Sequence, residues 1–263
     1  MTVAFDYDQL RLALGPLATR FDVDHLDACA STNTELLSRA QAGAGSGTVV
    51  VAATQSAGRG RRGRTWVSTP GDSLTFSLLW RFDDARALAG LSLGIGIAIA
   101  RALTSLGVAD VWLKWPNDIW LAGRKLGGVL VESSLTGERA AVVIGIGLNL
   151  RRSAALDAVD QPVAALDDAG SPPSREVLLA VLLSQLALVL DLFERHGFAP
   201  FHEEWQDLHA LQERPVRLVD DERVLRGICR GVDEHGALLL DTEAGMLRLL
   251  GGELSLREDP CTS

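Results

Sequence analysis

Apolar and polar positions recur along the chain with spacings that predict a series of short helices and strands. The first residues suit a short helix over 9–14 and a strand over 25–28. Thr32 and Glu35 have the Thr-x-x-Glu spacing of a capping box, in which hydroxyl and carboxylate satisfy free amides of a first turn. A helix is therefore expected to about Ala42, with Gly43 ending it. Residues 48–54 (TVVVAAT) predict a buried strand, 55–65 a polar, glycine-rich loop, and 73–82 (SLTFSLLWRF) a returning strand. Residues 88–106 form a helix rich in Gly and Ala, able to pack closely on a sheet, and three further strands are expected over 111–115, 126–132 and 141–148. Pro172 and Pro173 open a long helix over 174–194, and another follows over 200–211. After Pro215 the texture changes to short β stretches at 216–219, 224–232, 237–240 and 246–250, with Gly236 and Gly245 at turns. That change places a domain boundary near Arg214, giving a larger domain over 1–213 and a small β-barrel over 214–263.

Composition narrows the class. With 263 residues, 47% hydrophobic and 22% charged, the chain can bury a sizeable core. A net charge of −9 argues against nucleic acid as the main partner, because phosphate binding needs a basic face. Cys29, Cys229 and Cys261 are far apart, and the histidines form no ligand pattern, so no metal site is expected. The apolar runs over 88–103 and 177–193 are interrupted by Arg101 and by Ser184, Gln185 and Asp191, so both are expected as buried helices rather than membrane spans. The start lacks a basic leader followed by an apolar core; reduced thiols and no signal peptide give a cytoplasmic expectation.

The candidate chemistry lies in four segments. Gly58-Arg59-Gly60-Arg61-Arg62-Gly63-Arg64-Thr65-Trp66 combines alternating glycines, which free the backbone to point N–H groups inward, with four arginines. Such a loop suits a phosphate, a carboxylate or both; a solvated basic turn and an RNA-binding loop are the alternatives. Lys114-Trp115-Pro116-Asn117-Asp118 follows a strand, with Pro116 turning the chain. Arg124-Lys125 precedes an apolar run, where a lysine can also be a snorkelling surface charge. Gly145-Ile146-Gly147-Leu148-Asn149 ends a strand, and its glycines allow close ligand approach; without a third glycine it is not a dinucleotide fingerprint.

Taken together with Ser31-Thr32-Asn33 and Gln55, these segments resemble, in order, the catalytic motifs of biotin–protein ligases. Arg214-Pro215-Val216, Gly227-Ile228-Cys229-Arg230-Gly231, 236–240 (GALLL) and 251–257 (GGELSLR) resemble that family's SH3-like end domain. The resemblance implies an α+β fold: a mixed β-sheet catalytic domain flanked by helices, like class II aminoacyl-tRNA synthetases, with an SH3-like β-barrel. It implies that biotin and MgATP give biotinyl-5′-AMP, and that the biotinyl group passes to one lysine of a biotin carboxyl carrier protein such as an acetyl-CoA carboxylase subunit. Ser31, Thr32, Asn33, Gln55, Arg59, Gly60, Arg61 and Lys125 match biotin-binding positions. Arg61, Arg64, Trp66, Lys114, Asn117, Asn149 and Arg257 match nucleotide-binding positions. Arg61, Lys125 and Asp118 match catalytic ones, with Lys125 and Arg61 neutralising two anions and Asp118 receiving the acceptor amine.

Two departures bear on this expectation. Only 30 residues precede Ser31, too few for the helix-turn-helix domain of relatives that repress biotin genes, so a ligase-only type without DNA binding is expected, as monomer or weak homodimer. Some members cover adenine with an aromatic residue after the Gly-x-Gly-x-Asn segment, and 150–166 contains none. A lipoate ligase or octanoyl transferase is the neighbouring enzymatic alternative; a DNA-binding biotin sensor and an RNA-binding module are the non-enzymatic ones.

Overall fold

The computed structural model describes residues 5–84, 88–159, 161–219, 224–250 and 255–259. Seven strands form the large sheet in the order β1-β2-β3-β7-β6-β5-β4. They are β1 (Asp22–Leu26), β2 (Thr48–Ala52), β3 (Ser73–Phe82), β4 (Val111–Lys114), β5 (Asp118–Leu121), β6 (Arg124–Thr136) and β7 (Arg139–Asn149). Only β1 and β2 pair in parallel. Parallel neighbours need a crossover, and α2 (Thr32–Gln41) supplies it.

Period-2 alternation divides this sheet into two faces. Val49, Val51, Leu74, Phe76, Leu78, Val142, Ile144 and Ile146 point into the main core, which α3 (Leu91–Ser105) and α5 (Arg175–His196) complete; the one-turn α4 (Ala154–Asp157) lies between them in the chain. Val50, Leu79 and Val143 point the other way and pack with Leu36 of α2. Helix α5 is long and apolar enough to cross a membrane, and here it packs on α3 and on α1 (Tyr7–Leu14), with Leu178, Leu182, Leu186 and Phe193 fully buried.

The C-terminal strands β8 (Pro215–Val219), β9 (Val224–Val232), β10 (Leu238–Thr242), β11 (Gly245–Leu249) and β12 (Ser255–Glu258) form an antiparallel sheet in the order β11-β10-β9-β8-β12. Its apolar side joins the main core through Val216, Leu218, Val232 and Leu240. The buried Trp115 indole N–H donates to the Gly236 carbonyl at 3.2 Å, fixing the turn after β4 to this sheet.

Several expectations require correction. The capping box over Thr32 and Glu35 does not form. Ser31 is the N-cap and makes no side-chain cap bond, while Glu35 pairs with Arg39 at 2.8 Å. The Thr32 hydroxyl is instead turned towards Gln55. The first strand lies at β1 rather than 25–28, because its length is set by pairing along the whole of β2. Strand β5 was not expected: it has only Ile119 and Leu121 facing the core, too short a pattern to register against the turns on either side. The helix over 200–211 is shorter, α6 (His202–Leu208) after a single 3₁₀ turn, and β12 was also not expected. Gly251 to Leu254 and Cys261 lie outside the described residues.

Candidate active site

The sheet face on the α2 side carries the site, and strand register builds its floor. Thr75 of β3 is opposite Gly147 of β7, Gly147 is opposite Gly128 of β6, Gly128 is opposite Asp118 of β5, and Asp118 is opposite Lys114 of β4. Residues in register share a face, so this row runs from a neutral hydroxyl, over two glycines, to a carboxylate and an ammonium. A second row joins Ser77, Gly145 and Leu130. The glycines are needed sterically. A Cβ on Gly147 would lie 2.4 Å from the Trp66 ring, and one on Gly145 would lie 2.2 Å from Asn33 Oδ1. Their close approach thus serves two side chains of the protein, where the sequence suggested an approach by ligand.

At the neutral end, Ser31, Thr32 and Asn33 at the start of α2 are all buried. Gln55 Oε1 accepts from the Thr32 backbone N–H at 2.7 Å and from its hydroxyl at 3.2 Å. Ser77 Oγ, fully buried, lies 2.6 Å from Asn33 Oδ1 and 2.8 Å from Thr32 Oγ1. The Asn33 amide donates to the Leu130 carbonyl at 3.2 Å and to Glu132 at 2.8 Å. Buried polar groups cost free energy unless bonded, so this interlocking fixes each of them.

The arginine-rich loop covers this end. Gly60 N–H donates to the Arg64 carbonyl at 2.7 Å and Trp66 N–H to the Gly58 carbonyl at 2.9 Å, closing the loop on itself. Those two amides are therefore spent internally. Only Gly63 among its glycines has positive φ, 66°, next to Arg62 at 60°. Arg59 pairs with Glu132 at 2.7 Å, Arg61 donates to Asn117 Oδ1 at 3.3 Å, and Arg62 donates to the Val219 carbonyl at 3.3 Å.

Cations dominate the other end. Lys125 Nζ lies 2.6 Å from one Asp118 oxygen and Lys114 Nζ lies 3.8 Å from the other. Burial lowers the Lys114 pKa; Asp118 opposes this, while the nearby charges of Lys125, Arg257 and Arg64 add to it. Behind Lys114, His209 is buried against Trp205 with ring centroids 4.4 Å apart, and burial lowers its pKa to about 4. Leu156, Val159 and Val163 wall this end, held by Lys125 N–H donating to the Pro162 carbonyl at 3.1 Å and Asn149 Nδ2 to the Ala164 carbonyl at 2.9 Å.

One cavity is lined by Ser31, Thr32, Asn33, Gln55, Arg59, Gly60, Arg61, Arg64, Trp66, Lys114, Asn117, Asp118, Lys125 and Asn149. Arg257 is exposed and does not line it, although its neighbour Leu256 does. Sequence reasoning missed Ser77, Glu132 and the aliphatic wall. Ser77 carried a readable signal, since Thr75 and Ser77 are the polar alternates of Leu74, Phe76 and Leu78 in β3.

Comparison with known proteins agrees with this geometry. Residues 27–149 match the biotin/lipoate A/B protein ligase family, and residues 213–257 match the biotin protein ligase C terminal domain. The bifunctional ligase/repressor BirA of Escherichia coli K12 is 44% identical over 215 residues, covering 81% of this chain and 67% of that protein. The biotin–[acetyl-CoA-carboxylase] ligase of Paracoccus denitrificans is 36% identical over 222 residues, covering 82% of this chain and 92% of that protein. The Aquifex aeolicus biotin protein ligase, solved in complex with biotin and ATP, superposes with a TM-score of 0.79 at 29% identity, covering 90% of this chain and 99% of that one. On both domain matches and on these relatives, the chain belongs to the biotin protein ligase family.

Proposed function

We infer that the chain is an ATP-dependent biotin–protein ligase, on the observation that one cavity joins a neutral, buried hydrogen-bonding end to a strongly cationic end across a floor of glycine. A ligand with a polar ureido head and a carboxylate tail fits that polarity. Ser31, Thr32 and Gln55 would hold the ureido ring, while Leu130 faces the thiophane ring. The carboxylate then points towards Lys125, where the α-phosphate of ATP meets it.

In the first step a carboxylate oxygen attacks the α-phosphorus and the bond to the β-phosphate oxygen breaks, releasing pyrophosphate. Two anions must approach, and Lys125 and Arg61 stabilise the charge that develops. Lys114 and Arg64 would take the remaining phosphates, with Arg257, outside the cavity lining, adding its charge near Lys114, and Leu156, Val159 and Val163 would cover adenine in place of an aromatic ring. Among the described residues no group of three or more His, Cys, Asp or Glu is placed to hold a metal, so Mg2+ would arrive on the triphosphate. In the second step an acceptor lysine amine attacks the acyl carbon, AMP leaves with its bond electrons, and Asp118 orients the amine or takes its proton. The acceptor would be a biotin carboxyl carrier domain, the setting cytosolic, and the boundary between catalytic and end domains near Arg214.

Biotin-dependent exchange of labelled pyrophosphate into ATP, without acceptor, tests the first step directly. Exchange with lipoate or octanoate in place of biotin would overturn the substrate assignment.

A further inference from the structure

We propose that Glu132 is a positioning residue that ties the arginine-rich loop to the neutral end of the cavity, so that loop closure and the shape of the biotin pocket depend on one carboxylate oxygen. This rests on reading that end as the biotin site. Glu132 Oε2 accepts from Asn33 Nδ2 at 2.8 Å and from Arg59 Nη2 at 2.7 Å. These two donors come from distant parts of the chain, the first turn of α2 and the loop before β3. Glu132 itself stands on β6, paired with β7 through the Glu132–Val143 register. The carboxylate is therefore fixed on the sheet, and the two partners are set relative to it.

Asn33 has little choice of orientation. Its Nδ2 is committed to the Leu130 carbonyl and Glu132, its Oδ1 accepts from Ser77, and Gly145 leaves just the space it occupies. Though expected to contact biotin, its amide is thus already bonded within the protein, and it transmits the position of Glu132 to Thr32 and Ser77. The Arg59–Glu132 pair is 43% and 26% exposed, so it adds little to folding stability. Its consequence is geometric: it holds the loop against the sheet edge over the pocket.

Two variants separate the two contacts. Glu132→Gln keeps an oxygen for Asn33 but gives up the charge that holds Arg59, whereas Glu132→Ala removes both. In biotin-dependent pyrophosphate exchange, Glu132→Gln should raise the biotin KM about threefold, the size of effect a half-exposed ion pair gives, and Glu132→Ala about tenfold, because the Asn33 contact is lost as well. The kcat at saturating biotin and the ATP KM should stay within about twofold, because the reacting atoms are not touched. Arg59→Ala should match Glu132→Gln, and the double variant should be no worse than either alone, since both break one contact. A biotin KM equal to the parent's in both Glu132 variants, a loss in kcat instead of KM, or multiplicative effects of Arg59→Ala and Glu132→Gln would overturn the proposal. Should Glu132→Ala fail to fold, the isosteric Glu132→Gln and Arg59→Ala decide the matter. A parent enzyme with no biotin-dependent exchange would instead refute the reading of the site.

Discussion

At the neutral end of the cavity, Thr32, Asn33, Gln55 and Ser77 are bonded to one another, whereas at the other end Lys114 and Lys125 crowd a single carboxylate, Asp118. The first arrangement is finished. It offers a ligand a fixed set of partners and loses little entropy on binding. The second is unbalanced: burial and neighbouring cations already disfavour the charge on Lys114. A polyanion relieves that imbalance, and it does so most when charge builds up between carboxylate and phosphate. The neutral end should therefore govern which acid binds, and the cationic end how fast it reacts.

The largest expected effect breaks the cationic end. Lys125→Ala removes the cation 2.6 Å from Asp118. Loss of one preorganised contact to a developing anion typically costs ~3–4 kcal/mol in the transition state, so exchange should fall by about two to three orders of magnitude. Biotin affinity, measured by equilibrium dialysis without ATP, should fall far less. Equal losses in both would mean that the two ends do not divide binding from reaction.

A second effect, on stability, concerns the support behind Lys114. His209 has its pKa lowered from 6.5 to about 4, chiefly by burial. The unfolded chain thus binds a proton between those values that the folded chain does not, so stability rises with pH there. This contribution is complete above about pH 6.5 and lost as pH falls towards 4, at a cost of about 3 kcal/mol. Urea unfolding at several pH values should show that slope, and His209→Gln should flatten it. An unchanged slope in the variant would assign the acid sensitivity to other groups.

The two ends also differed in how much of them could be read from the sequence. The cationic end sits in compact motifs, because Lys114 to Asp118 spans the single turn between β4 and β5 and Lys125 is the second residue of β6, so its residues fall in short segments that the sequence alone singles out. The neutral end is assembled by register. Ser77 and Glu132 join Thr32 and Asn33 only because β3, β7 and β6 align, a long-range fact that no local pattern contains. For the same reason the capping box failed: tertiary partners at Gln55 and Ser77 took the Thr32 hydroxyl that a free helix would have used. In the fold, β3 matched its apolar alternation over its full length, while β5, held by two core residues, was invisible.

The smallest expected effect sharpens the neutral end, by asking whether Gln55 is a ligand contact or only scaffold. Its Oε1 is occupied by Thr32 at 2.7 Å and 3.2 Å, which leaves the Nε2 donors to meet an incoming carbonyl. Gln55→Ala loses both functions and leaves the Thr32 amide without its acceptor. Net hydrogen bonds are worth ~0.5–1.5 kcal/mol each, so the biotin KM should rise about tenfold, with kcat at saturation preserved because binding is lost equally in ground and transition states. Gln55→Glu discriminates further. A carboxylate still accepts from Thr32, and more strongly, but it can no longer donate to the ureido oxygen. If Gln55 grips biotin, Gln55→Glu should raise KM at least as much as Gln55→Ala, because the carboxylate also repels that oxygen. A parental KM in Gln55→Glu, beside a raised one in Gln55→Ala, would show that Gln55 acts only by holding Thr32 in place.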